Sequence, residues 1–188
     1  MPERNLILAG AMLLMNSLAL FSTAGAEAEE PNAAEQQAIA KIREMGGQVL
    51  EIAQNDKHLD VGFHLVQDKK VTDEALTPLK DLTRMVNLNL RGTEVTDAGL
   101  VNIEKQTTLV RLHLEKTKIT DAGLERLKGL VNLEYLNLYG TEVTDAGLAH
   151  LEGLTKLKSL YLWQTKVTDA GVEKLQKALP NLKIIRGV

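Results

Sequence analysis

Among 188 residues, those able to do chemistry are few: four histidines, a small set of aromatics and a spaced series of aspartates, with no cysteine. Without thiols, disulfides, thiolate metal sites, thiol catalysis and covalent haem attachment are all excluded. His58 and His64 lie near the N-terminal cap, and His150 sits in a stretch of helical periodicity. Only His113 lies in a strand-like stretch beside a carboxylate, Glu115 two residues on, and residues two apart on a strand share a face. The pair could move a proton. No nucleophile or oxyanion-stabilising group accompanies it, so a hydrolase built on His113 and Glu115 is the third of three functional readings.

The aspartates are Asp73, Asp97, Asp121, Asp145 and Asp169, each 24 residues after the last. They could be read as a metal ladder. Calcium, however, needs about six to eight oxygens, and each aspartate opens a helical segment, where a carboxylate answers orphan N–H groups. Capping is the expected role, and neither a metal nor a cofactor is expected. The aromatics are more suggestive. Tyr135, Tyr139, Tyr161 and Trp163 comprise every tyrosine and the sole tryptophan, and Arg91, Arg111 and His113 fall in the same frame. Tyr, Trp and Arg are the types enriched at binding hot spots.

These residues are positioned by a repeat. Val-Thr-Asp or Ile-Thr-Asp begins at residues 71, 95, 119, 143 and 167. The fullest unit, 133–156, places Leu133, Leu136 and Leu138 as L-x-x-L-x-L, then Thr141. Leu136 and Leu138 share one face of a short strand, so Tyr135, Asn137 and Tyr139 point the other way. Thr144 or Asp145 can cap a helix whose buried stripe is Leu148, Leu151 and Leu154. Such units cannot bury their apolar faces alone and must stack. The outward strand face then has three columns: Asn87, Arg111, Tyr135 and Ser159; Asn89, His113, Asn137 and Tyr161; Arg91, Glu115, Tyr139 and Trp163. Neighbouring strands lie about 4.8 Å apart, so the four aromatics are expected as one cluster. The competing reading is that they only stabilise the sheet.

The ends differ. Residues 1–26 read as a signal peptide, with Arg4 in the n-region, an apolar stretch over 6–21 and the small-x-small Ala24-Gly25-Ala26. Residues 27–32 are a linker, 33–58 an N-terminal cap and 59–188 the repeats. In the cap, Asn32 starts a helix with Glu35 at the capping-box position. A hairpin follows, with strands 48–53 and 59–65 around Asn55-Asp56-Lys57. Phe63 and Leu65 are expected as the strand pair of the first coil, with a one-residue bulge over 66–70. Gln106 replaces a helix leucine, so that helix should be looser. Leu182 and Ile185 should begin a last strand whose edge is uncapped. Net charge is −3, which invites neither nucleic acid nor an anionic membrane surface.

The pattern L-x-x-L-x-L-x-x-T-x-[VI]-T-D-A-G-L resembles the leucine-rich repeats of secreted and cell-surface bacterial proteins. Residues 160–182 resemble C-terminal repeats of bacterial multidomain proteins that carry cytochrome-type modules, but here there is no cysteine and no haem site. The repeat is also similar to those of F-box substrate adaptors, without an F-box. The resemblance covers about residues 60–188. It implies an α/β leucine-rich-repeat solenoid with a concave parallel sheet, convex short helices and a helix–hairpin cap. The expected function is a non-catalytic interaction module. It would bind a protein or glycan-like partner through Tyr135, Tyr139, Tyr161, Trp163, Arg91, Arg111 and His113. The alternative is an assembly component that self-associates through its C-terminal edge. The expected location is periplasmic or secreted, with anchoring by an uncleaved leader as the alternative.

Overall fold

The computed structural model describes residues 31–66 and 70–187, so the expected leader and most of the linker lie outside the described residues. One seven-stranded sheet runs through the molecule in chain order: β1 (Gln48–Ala53), β2 (Asp56–Gly62), β3 (Met85–Asn89), β4 (Arg111–His113), β5 (Tyr135–Asn137), β6 (Ser159–Tyr161) and β7 (Lys183–Ile185). β1 and β2 form the antiparallel hairpin, and every later pairing is parallel. Leu88, Leu112, Leu136, Leu160 and Ile184 pair in register, and the four leucines of that row are fully buried. The alternate residues therefore face outward on the concave side.

The first coil corrects the sequence reading. Val61 pairs with Leu88, so Val61 and Phe63 form its buried strand pair, while Leu65 is 56% exposed. Alternation in 59–65 continued past the true strand end, because Gly62 offered no side chain to break it. The connection from Phe63 to Val71 is thus three residues longer than that from Leu90 to Val95. Residues 67–69, where the bulge was expected, lie outside the described residues. At the far end, Ile184 rather than Ile185 meets Leu160, and Ile185 joins Tyr161's column. The extra residue near Pro180 is absorbed before β7, so the strand keeps the 24-residue register.

The convex side carries helical turns, but not all are α-helical. Asp73–Asp81 and Gly99–Asn102 are 3-10 segments. α2 (Asp121–Arg126) and α3 (Asp145–Leu148) each run on into a 3-10 turn, and of the α-helices of the repeats only α4 (Asp169–Ala178) reaches ten residues. Pro78 lies within the first segment and lacks the N–H that an α-helix would use. Gln106 lies beyond the helical segment of its coil rather than in it. It is buried and donates from Nε2 to the Leu79 carbonyl at 2.7 Å, tying two coils together.

The aspartates do not cap their own helices. Thr120, Thr144 and Thr168 do, each accepting from a backbone N–H of the turn it opens. Each aspartate reaches the next coil instead. Asp121 accepts from Thr144 N at 2.8 Å and from Thr144 Oγ1 at 2.6 Å, and Asp73, Asp97 and Asp145 repeat the arrangement on Thr96, Thr120 and Thr168. The Gly of each Asp-Ala-Gly makes room for that bond. A Cβ at Gly147 would run into the Asp121 carboxylate. Asp169 pairs with Arg186.

α1 (Ala33–Glu44) packs Ala38 and Ile42 into the core. Asn32 caps it, accepting from Glu35 N at 2.9 Å. The Glu35 carboxylate does not reach back to close a capping box. It is buried and accepts from Thr83 N at 3.1 Å and Arg84 Nε at 3.3 Å, which fastens the cap to the first coil. Gly46, at φ +88°, closes the helix with its N–H on Arg43 O.

The concave face as a candidate binding surface

The turn that leaves each strand is left-handed at Gly92, Lys116, Gly140 and Gln164. Just past it, Thr93, Thr117, Thr141 and Thr165 each donate to the carbonyl three residues back at 2.7 Å. This fixed exit makes the third outward column repeat at the same height in every coil.

The aromatics form two groups rather than one. The Tyr135 ring packs against His113 at 4.8 Å and Tyr161 at 5.3 Å between centroids, with the Arg111 guanidinium 4.2 Å over it. Tyr139 stacks on Trp163 at 5.0 Å, and Lys116 lies 5.5 Å over its ring. No ring contact joins the two groups among the described residues. Tyr135 and Tyr161 sit in different columns of β5 and β6, yet their rings meet. Gly187 continues the column of Tyr139 and Trp163, and a Cβ there would strike the indole. Trp163 is thus held between a phenol ring and a glycine backbone, and it offers its edge, at 48% exposure, to solvent.

A polar chain runs beneath the rings. Glu115 is only 6% exposed. Its Oε1 lies 2.9 Å from His113 Nδ1 and accepts from Asn137 Nδ2 at 2.7 Å, while its Oε2 is buried without a partner. Asn137 also donates to the Tyr135 hydroxyl at 3.2 Å and accepts from Tyr139 N at 3.1 Å. Burial holds the Tyr135 phenol above its ordinary range, outweighing the hydrogen bond from Asn137. The His113–Glu115 pair fixes the imidazole but lacks a nucleophile. Ser159 stands on β6, two strands from β4 and therefore about 10 Å away. Among the described residues no group of three or more His, Asp or Glu could hold a metal ion.

A leucine-rich-repeat family model matches residues 105–128, the frame of one coil. No curated protein matches the chain. The solved structures similar to it include one plant and two bacterial proteins. Over 82% of this chain and 92% of theirs, the leucine-rich-repeat ectodomain of the receptor kinase SOBIR1 from Arabidopsis thaliana aligns at 15% identity with a TM-score of 0.52. The chain has the leucine-rich-repeat fold. Internalin C2 from Listeria monocytogenes is 30% identical over 65% of this chain and 59% of its own, with a TM-score of 0.49. Internalin F of the same organism is 20% identical over 63% and 39%, with a TM-score of 0.46. The chain therefore spans less than two thirds of either internalin.

On this leucine-rich-repeat sheet, Arg111, His113, Tyr135 and Tyr161 meet, and Tyr139 meets Trp163. Arg91 is exposed and touches neither group; its backbone N–H donates to Asn89 Oδ1. Three residues take places that their columns alone did not indicate. Asn137 bridges both groups, and only its column position hinted at it. Glu115 is buried beside the rings, between His113 and Asn137. His64 packs over Gly62, which belongs to Asn89's column, so a second imidazole lies on the concave side. No helix among the described residues is long and apolar enough to cross a membrane.

Proposed function

We propose that this leucine-rich-repeat chain is a non-catalytic interaction module that binds a protein partner through its concave face. The observation that carries the reading is the contrast between the two sides of the sheet. The core side is apolar and, over β3–β6, carries only buried leucines and Met85, whereas the outward side gathers Arg111, His113, Tyr135, Tyr161, Tyr139 and an exposed Trp163 on three short strands and their exits. Exposed aromatic and arginine clusters are contact-forming surfaces. The module is proposed to be exported by the leader at residues 1–26, to a periplasmic or extracellular location.

The test is capture of partners from the envelope fraction by the parent and by a Tyr161→Ala, Trp163→Ala variant whose circular dichroism matches the parent. Capture by the parent alone supports the face. Equal capture by both sinks it. A second reading is assembly through the outer edge of β7, which pairs with no described strand. A dimer by sedimentation that dissociates when residues after Leu182 are altered would favour it.

A further inference from the structure

The charges of the concave face are sorted by depth. The chain as a whole is net negative, at −3. Yet the side chains that reach solvent on the repeat portion of this face are cationic: Arg91, Arg111, Lys116 and, on β7, Lys183 are all exposed. The carboxylate interleaved with them, Glu115, is buried, with Oε1 shared by His113 and Asn137 and Oε2 shielded from solvent. Asp60 lies at the hairpin end and accepts from Asn87. None of the four cations has an ion-pair partner among the described residues. By contrast, Lys118, Lys158 and Lys166, which lie off this face, are matched with Glu94, Glu134 and Glu142 of the preceding coil. Arg111 is also pre-organised. Its guanidinium carbon stands 4.2 Å over the Tyr135 ring, and its side-chain donors make no hydrogen bond among the described residues.

Deepening the proposal that this face binds a partner, we infer that the surface docked there is acidic: a segment bearing Asp or Glu carboxylates. The carboxylates would meet Arg91, Arg111 and Lys116, while apolar groups beside them meet Tyr161 and the edge of Trp163. A planar guanidinium held on a ring donates bidentately to a carboxylate with little further ordering. Exposed cations lacking partners also give up no existing ion pair on binding. A basic segment would face uncompensated repulsion, since the one carboxylate near the cluster already lies inside.

Trp163, the only tryptophan, reports directly on the face. Its emission is followed while the full chain is titrated with a decaglutamate peptide, and separately with decalysine. Decaglutamate should give a saturable change that weakens about tenfold or more between 50 and 500 mM salt, as screening demands. Decalysine should give none. Arg111→Glu should weaken the decaglutamate response about tenfold, Arg111→Lys should restore much of it, and Arg91→Glu, which disturbs no ring, should weaken it severalfold. No response to decaglutamate, an equal response to both peptides, or indifference to Arg91→Glu and Arg111→Glu would overturn the inference. The broader reading fails separately. Partners captured through Tyr161 and Trp163 but insensitive to the charge reversals leave the face as a binding site and remove only its acidic preference.

Discussion

At the residue scale, the most informative side chains are the Asp, Thr and Gly of Thr-Asp-Ala-Gly. Each performs one task for its own coil or for the next. Threonine caps its own helical turn, aspartate clasps the following threonine, and glycine makes space for the preceding aspartate. A methyl group at Gly147 would meet the Asp121 side chain and also its Cα at 3.1 Å, so flexing the carboxylate cannot relieve it. Gly147→Ala is expected to cost about 1–3 kcal/mol through overpacking, less the better helix propensity of alanine, about 1 kcal/mol. Gly153→Ala, where a Cβ meets nothing within 4 Å, should be neutral or slightly stabilising. Urea titration of both variants checks the contrast. The clasp between Asp145 and Thr168 also sets acid sensitivity. The Thr168 hydroxyl and then its backbone N–H hold the Asp145 carboxyl below its ordinary 3.8. A lowered folded pKa means a contribution that is present above that ordinary value and lost as pH falls through the lowered one. Asp145→Asn should therefore lower stability near neutral pH and show a smaller further loss on acidification, measured by thermal melts from pH 6 to pH 2.

At the element scale, coils adhere through three devices: the parallel ladder, the aspartate clasp and the buried leucine row. Gln106 is the exception, standing where Leu82, Leu130 and Leu154 are buried in neighbouring coils. Its bond to the Leu79 carbonyl is dispensable for that carbonyl, which also accepts from Leu82 N at 3.2 Å. Losing it should cost about 1 kcal/mol, whereas a buried leucine gains about 1.5–3 kcal/mol. Gln106→Leu is thus expected to stabilise the protein by about 1 kcal/mol, read from a denaturant midpoint with unchanged slope. The cap is joined differently, by the buried Glu35 on Thr83 and Arg84. Glu35→Ala would strand Arg84 Nε and Thr83 N, and it should cost about 2–4 kcal/mol for a broken, largely buried charge pair.

At the scale of the molecule, stability is a sum over adjacent coils, because each touches mainly its neighbours. The clasps and the continuous leucine row make the neighbour terms strong, so the array should unfold as one unit. Far-UV circular dichroism, which sees the whole chain, and Trp163 emission, which sees only the last coils, should give coincident denaturation curves. Earlier loss of the Trp163 signal would show the C-terminal coils parting first. The same geometry makes the concave face a rigid surface, suited to a partner that meets it without reshaping it.

The repeat was fully legible in the sequence, because a 24-residue period with fixed Leu, Thr and Asp positions admits one stacking solution. From that period followed the sheet, its column contents and the concave placement of Arg111, His113, Tyr135, Tyr139, Tyr161 and Trp163. Periodicity states which side of a strand a residue leaves from, and it does so reliably where Leu136-type residues are buried on the other side. It does not state where a side chain goes afterwards. That depends on neighbours 24 residues away and on rotamers that only the packed molecule selects. Hence the tertiary structure alone buried Glu115 between His113 and Asn137, sent each aspartate to the next coil, divided the aromatics into two groups and laid Gly187 against Trp163. It also decided the register at both ends, where Gly62 and the extra residue near Pro180 leave the pattern without a unique reading and the apolar residues that best meet Leu88 and Leu160 settle it.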